Sequence, residues 1–516
     1  MTYTDLQQFL LNQGYKLIIV ADGQTRAHEF VDGEMVLKTP AGGVSVVFDT
    51  LARAGNATYI ARGRSNADRR AMNGKKVVDI VSPQGNYRLK RLFFSERDTE
   101  NYYFGFANQT LWPLSHASFE QPAFNSSWYE GYKKVNKAFA QAIMEEVDPK
   151  AKTLVWINDY QLSLVPTFLP KLPNMIVSFF WHIPWPTWEI FRILPQKKDI
   201  LWSLLSCDYL AFHRRYQVEN FLNTVDRELE ARIERETSTV YFDSSNLVVD
   251  SLAMGIDTDV VRGVVNSSEN ESYFAQALRN VFQLEENSEK PVEKKKDPFA
   301  QIFERYQVIL GIDRLDYTKG LLHRLQALDL FFTMHPRFLG KVVYIGIMSP
   351  SREQIPSYKM LRRKIENLAK KINQKYTING WRPLRLIYQN YTREDVINLY
   401  KRASVCLVTP LDDGMNLVSK EFVIAASAAE KPGVLVLSQF AGSATDLHDS
   451  LLVNPYDTEE VVQAIYQGLT MSEKEKKERN GQMVNQLEEH NIYEWCQTFI
   501  KNALSASRRN RSTNNK

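Results

Sequence analysis

Short apolar runs separated by stretches of helical spacing recur along this chain, and the alternation breaks once and then restarts. In the first half the runs are Leu17 to Val20, Thr58 to Ala61, Lys76 to Val81, Leu154 to Ile157 and Ile176 to Phe180, and a further element begins at Val44 to Leu51. In the second half they are Tyr306 to Gly311, Val342 to Ile347, Leu384 to Tyr388, Val405 to Val408 and Gly433 to Leu437. Runs of this kind read as strands buried on both faces. Helical patterns between them, such as Tyr129 to Glu146 and a helix from about Leu321, imply parallel sheets covered by helices. The break is residues 284 to 298, which hold almost no apolar side chain and read as a solvated loop. A chain of 516 residues exceeds one ordinary core. The expectation is an α/β protein of two doubly wound domains, 1–263 and 264–492, with a ligand in the cleft between them.

Composition narrows the class of partner. Apolar residues at 44% and charged residues at 24% are those of a soluble globular protein. A formal net charge of +4 gives no footprint for nucleic acid. The three cysteines, Cys207, Cys406 and Cys496, are far apart and odd in number, which argues against a disulfide framework and for a reducing, cytoplasmic location. The first fifteen residues are polar and mixed, so no signal peptide is expected, and no run approaches the roughly 20 apolar residues of a membrane span. No Cys/His cluster has metal-ligand spacing. Nor is there a Gly-x-Ser-x-Gly elbow, a His-Glu-x-x-His, a Walker loop or a Gly-x-Gly-x-x-Gly after the first strand.

In doubly wound sheets ligands sit beyond the C-terminal strand ends, so polar residues there are the candidates. After Val405–Val408 comes Thr409-Pro410-Leu411-Asp412-Asp413-Gly414-Met415-Asn416-Leu417, followed by apolar residues at helical spacing and by Glu421. Asp413, the amides of Gly414 to Leu417 and Glu421 suit sugar hydroxyls at a helix start, although Asp413 also reads as an ordinary N-cap. After the strand at 306–311, Arg314 and Lys319 put two cations on one loop, a pair suited to a diphosphate or to pairing with Asp313 and Asp316. His182 follows the run ending at Phe180, with Pro184 and Pro186 stiffening the loop. Asp159 ends the run at 154–157, and Arg352 ends that at 342–347. Gly42 and Gly43 form a turn that lets backbone approach a phosphate. Tyr103 and Trp112 offer an O–H and an N–H for a sugar or phosphate.

Taken together these residues resemble the trehalose-6-phosphate synthase family of retaining glycosyltransferases. The resemblance runs from about Lys16 to Ile500. It is carried by Leu111-Trp112-Pro113, Trp156-Ile157-Asn158-Asp159-Tyr160, His182-Ile183-Pro184, Arg314 to Gly320, Asp413 to Val418 and Leu437 to Gly442. It implies the GT-B fold: two Rossmann-like domains facing across a deep cleft, with a helix at 493–505 crossing back to the first domain. The tail at 506–516 is expected to be disordered. The implied reaction moves glucose from UDP-glucose to glucose 6-phosphate with retention, needs no metal or other cofactor, and gives α,α-trehalose 6-phosphate. The leaving phosphate is expected to take the acceptor proton.

By the same resemblance Arg314 and Lys319 hold the donor diphosphate with Gly42 and Gly43 closing over it. Glu421 takes the ribose hydroxyls, and Asp413, Gly414, Met415, Asn416, Leu417 and His182 take the donor glucose. Asp159 faces the acceptor sugar, and Tyr103, Trp112 and Arg352 its phosphate. The catalytic set is thus His182, Arg314, Lys319 and Asp159. Partners are small-molecule substrates, with neither nucleic acid nor membrane, and a homo-oligomer is left open. The chain departs from the family pattern twice. Gly23 stands where the family has a phosphate-binding Arg, for which Arg26 lies close enough to substitute, and Asn158 stands where it has His. The first departure keeps open a glucosylglycerol-phosphate synthase using ADP-glucose and glycerol 3-phosphate. A non-catalytic sugar-phosphate sensor is the reading of a different class.

Overall fold

The computed structural model describes all residues except 32, 40–42, 244, 267–297 and 515–516. Gly42 and most of the expected solvated loop therefore lie outside the described residues. The chain divides into two compact units, residues 1–255 with 490–516, and residues 256–489.

The first unit carries a sheet of β1 (Lys16–Val20), β4 (Thr58–Arg62), β5 (Val77–Ile80), β6 (Tyr87–Leu92), β7 (Thr153–Asn158), β8 (Met175–Phe180), β9 (Tyr209–Phe212), β10 (Arg232–Glu234), β11 (Thr239–Phe242) and β12 (Ser245–Ser251). Its order is β10-β11-β12-β9-β8-β7-β1-β4-β6-β5. The seven strands from β12 to β6 run parallel. From β1 the chain builds outward through β4 to β6, then returns to β7 on the other side. The gap between β1 and β7 is therefore the switch point where a doubly wound sheet leaves room for a ligand. A separate hairpin, β2 (Ala27–Val31) and β3 (Glu34–Lys38), follows β1. The segment Val44 to Leu51 lies within a helix, Gly43–Ala54.

In the second unit β13 (Gln307–Arg314), β14 (Val342–Ser349), β15 (Leu384–Ile387), β16 (Val405–Val408), β17 (Val434–Ser438) and β18 (Leu451–Val453) form an all-parallel sheet of order β15-β14-β13-β16-β17-β18. Its interior strands are buried along almost their whole length, as sheets covered on both faces require. The switch point falls between β13 and β16.

Three boundaries differ from the sequence expectation. The units part at Gly255/Ile256, because Val261 and Val265 of the helix Thr258–Asn266 are buried in the second unit's core. The chain rejoins the first unit at His490, where helix Ile492–Asn514 begins its packing. Within that helix Phe499 stacks on Trp156 at 3.8 Å, and Trp495 meets Phe180 at 5.1 Å. The helix also runs through most of the segment expected to be disordered. Ala506 and Ser507 are buried, and Asn510 Nδ2 donates to the carbonyl of Asn246 at 2.6 Å. A polar tail composition hid these contacts.

A twelve-residue π-helix, Glu100–Leu111, precedes Trp112. It lies against helix Ser126–Met144 through two glycines. A Cβ on Gly105 would run into the Trp128 ring, and one on Gly131 into Asn101. Asn108 Nδ2 donates to the carbonyl of Tyr103 at 2.7 Å, and Tyr160 Oη donates to Asn108 Oδ1 at 2.7 Å. Tyr103 is thereby tied to the loop that follows β7.

Candidate active site

In the second unit two loops flank the switch point. Strand β13 ends in Arg314, which is exposed, while Asp313 before it is buried and pairs with Arg324 at 2.8 Å. Burial raises the Asp313 carboxyl, and the Arg324 charge opposes that shift without cancelling it. Asp316 caps the next turn. It accepts from Thr318 N and Oγ1, both at 3.1 Å, from Arg352 at 3.2 Å and from Tyr358 Oη at 3.1 Å. Burial would raise this carboxyl, but the charge of Arg352, then of Arg314 and Lys319, with the Thr318 amide, holds it below its usual value. Arg352 has φ of +50° and a buried side chain, and it also donates to Tyr358 Oη at 2.6 Å.

Lys319 does not pair with Asp316. Its Nζ lies 2.5 Å from Asp413 Oδ2, on the loop after β16. Gly320 permits the loops to meet. It has φ of +65°, and a Cβ there would strike the carbonyl of Thr409. Leu411 N donates to Thr318 O at 2.7 Å across the same junction.

The N-cap of helix Leu417–Ser427 is Asn416, not Asp413. Asn416 sits at φ +80° and its Oδ1 accepts from Ser419 N at 3.1 Å, while its Nδ2 donates to Asp413 Oδ2 at 3.0 Å. With capping done by Asn416, the Asp413 carboxylate holds Lys319 instead. Gly414 is backed by Gly442, where a Cβ would collide with the Gly414 carbonyl, and Met415 O accepts from Ser443 N at 2.7 Å. Glu421 is buried and receives Arg393 Nε at 3.0 Å and Arg393 Nη2 at 2.9 Å, both on Oε1. Nothing in the local sequence pointed to Arg393.

The first unit carries its own constellation at the ends of β1, β4, β7 and β8. Asn158 Nδ2 donates to the carbonyls of Val20 (3.2 Å) and Trp156 (3.3 Å), so its Oδ1 is the acceptor facing His182 Nε2 at 3.1 Å. His182 is therefore the Nε2–H tautomer. Its Nδ1 is buried and accepts no hydrogen bond. The ring stacks on Phe180 at 4.4 Å, and burial lowers its pKa to about 3, so it is neutral at physiological pH. Asp159 sits at φ +73° and its Oδ1 accepts from His182 N at 3.1 Å. That bond joins the loops after β7 and β8.

Trp112 packs on His116 at 4.1 Å and on Tyr160 at 5.7 Å. Gly43 opens the helix after the hairpin. The geometry redirects Arg26. Its Nε and Nη2 both lie 2.9 Å from the carboxylate of Asp49, a fork that uses the face a phosphate would need. Two residues not singled out from the sequence stand close by. Arg62 and Arg64 both pair with Asp22, at 2.7 and 3.1 Å, and both guanidinium groups lie over the Tyr103 ring. Their signal was available, since Arg62-Gly63-Arg64 directly follows an expected strand. Among the described residues no group of His, Cys, Asp and Glu is arranged to hold a metal ion, and no helix is long and apolar enough to cross a membrane.

The glycosyltransferase family 20 model matches residues 15–285 and 279–505. The UDP-forming α,α-trehalose-phosphate synthase of Pichia angusta is 34% identical over 440 residues, 82% of this chain and 87% of the relative. A trehalose-6-phosphate structure from E. coli bound with UDP-2-fluoro glucose superposes with a TM-score of 0.79 at 28% identity, covering 95% of this chain and 98% of that one. An α,α-trehalose-phosphate synthase (UDP-forming) from Burkholderia xenovorans in complex with glucose-6-phosphate does so with a TM-score of 0.79 at 25% identity, covering 95% and 100%. With two Rossmann-like units of the GT-B class and a family match over nearly its whole length, the chain belongs to glycosyltransferase family 20.

Proposed function

We propose that this enzyme transfers glucose from UDP-glucose to glucose 6-phosphate with retention of configuration, releasing UDP and α,α-trehalose 6-phosphate. The observation that carries the reading is the Lys319–Asp413 pair at the switch point of the second unit, with exposed Arg314 at the end of the adjoining strand.

Arg314 and Lys319 receive the donor diphosphate. As the bond from glucose C1 to the diphosphate oxygen breaks, charge grows on that oxygen, and fixed cations there lower the barrier. The acceptor hydroxyl forms the new bond to C1 and passes its proton to the departing phosphate oxygen. His182 stays neutral, and its Nδ1 accepts a hydrogen bond from a hydroxyl of the transferred glucose. Asp413 and the amides of Gly414 to Leu417 take other hydroxyls of that glucose, and Glu421 takes those of the ribose. Gly43 takes part in holding the diphosphate. Asp159 meets the acceptor sugar, while Tyr103, Trp112 and Arg352 serve its phosphate. No metal is assigned a role. The three cysteines are free and buried, in keeping with a reducing cytoplasm.

The deciding experiment incubates the full chain with UDP-, ADP- or GDP-glucose against glucose 6-phosphate, glycerol 3-phosphate and other sugar and polyol phosphates. Nucleotide release and product anomeric configuration are followed together. UDP release with glucose 6-phosphate and an α,α product is expected. Turnover with glycerol 3-phosphate alone, or donor binding without nucleotide release for any acceptor, refutes the reading.

A further inference from the structure

We propose that Arg64, held in place by Asp22 and the Tyr103 ring, is a cation that binds the acceptor's phosphate in this chain. The inference rests on the sugar-phosphate acceptor read above, and names a specificity-determining residue for it.

Asp22 follows β1 and Arg62 ends β4, the neighbouring strand, in register Val20 with Ile60. Both residues thus lie at the C-terminal edge of the sheet, where ligands collect. Asp22 is buried and accepts four hydrogen bonds: Arg62 Nε at 2.7 Å and Nη2 at 2.9 Å, Arg64 Nη2 at 3.1 Å, and Tyr102 Oη at 3.0 Å. The Arg62 fork is by itself a complete partner for one carboxylate. Arg64 is therefore a second cation on an anion already neutralised, and the cluster keeps one surplus positive charge. The next carboxylate, Asp68, does not absorb it. Asp68 accepts Arg64's backbone N–H at 3.1 Å, but its charge is matched by buried Arg91 at 3.2 Å.

Exposure separates the two cations. The Arg62 side chain is 8% exposed and that of Arg64 is 48% exposed, though Arg64 is anchored at one nitrogen. An anchored, half-exposed guanidinium loses little side-chain entropy on meeting an anion, which favours binding. The Tyr103 ring lies 4.5 Å from the Arg62 guanidinium and 5.9 Å from that of Arg64, which links the pair to the π-helix. Space is present as well, since a Cβ built on Gly23, next to Asp22, meets nothing within 4 Å. Arg26, the nearer candidate in sequence, has its guanidinium forked onto Asp49. A phosphate monoester suits a single surplus guanidinium beside a phenol and open space.

The test is calorimetric titration of glucose 6-phosphate and of inorganic phosphate into the full chain saturated with UDP, for wild type, Arg64→Ala and Arg64→Gln. Both variants are expected to bind glucose 6-phosphate about 10- to 100-fold more weakly, as loss of a charged hydrogen bond implies. UDP affinity should stay within about twofold, and the melting temperature without ligand should hold, because the substituted side chain is half exposed. Wild-type affinity in both variants overturns the proposal and leaves the glucosyltransferase reading intact. If wild type instead takes glycerol 3-phosphate, the trehalose reading falls, and weakened binding of that phosphate by the variants still sustains the role of Arg64.

Discussion

Lys319 Nζ and Asp413 Oδ2 stand 2.5 Å apart, so one ion pair joins the loops after β13 and β16. Both side chains are mostly buried, at 12% and 16% exposed. On the proposed function, a diphosphate arriving at Lys319 would compete with Asp413 for the ammonium and release Asp413 to the sugar hydroxyls.

Substitutions at Arg314 and at Asp413 are predicted to have different outcomes. Arg314 is exposed at a strand end, so Arg314→Ala should leave the melting temperature nearly unchanged. It should lower kcat by roughly a hundredfold or more, the cost of removing a fixed charge at a developing anion. Asp413→Asn should impair turnover and also destabilise, because it leaves a largely buried ammonium without its carboxylate. Steady-state kinetics beside thermal melts check both, and an active Arg314→Ala enzyme would contradict the diphosphate role.

His182 makes stability depend on pH. Its folded-state pKa, about 3, lies below the ordinary imidazole value. Above about pH 6.5 both folded and unfolded chains hold it neutral, and its contribution is fully present. As pH falls from there toward 3 the unfolded chain takes up the proton first, so stability is lost. The loss from this group is about 2 kcal/mol at pH 5. Urea titrations of wild type and His182→Asn from pH 8 to 5 should show a steeper loss in wild type, the difference being the His182 share, since part-buried His28 and His323 keep a slope in both. Asn158→Leu should weaken turnover by removing the acceptor that sets the Nε2–H tautomer.

Arg352 is buried against Asp316, which is itself fully buried. Arg352→Ala strands that carboxylate and should cost about 3–5 kcal/mol of stability. Pairing it with Asp316→Asn should recover part of the loss. A thermal melt of the single and double variants measures this. A stable Arg352→Ala protein would show that the pair contributes nothing to the fold.

The sheet of the second unit was largely legible because its strands are continuous apolar runs between helices, as burial on both faces demands. Strand β6, Tyr87-Arg88-Leu89-Lys90-Arg91-Leu92, escaped that reading. Lys90 and Arg91 look like surface residues, yet both are buried, against Glu146 and Asp68. The long helix after residue 492 escaped at its far end for the same reason. Polar residues such as Asn510 find backbone partners that composition does not announce.

Local sequence alone determined which loops stand at strand ends, because hydrophobic periodicity and turn residues act over a few positions. It therefore placed Arg314, Lys319, His182, Asp159 and Asp413 at the edges of sheets, and Glu421 in the helix that follows. Only the tertiary structure decided which charge meets which. Lys319 chose Asp413 across 94 positions, Arg393 took Glu421 across 28, and Arg26 turned to Asp49. The helix cap passed to Asn416, and Arg64 joined Arg62 on Asp22. Such pairings depend on strand order and on the close approach that Gly320 and Gly442 allow, and ionic attraction carries no sequence period by which to read it in advance.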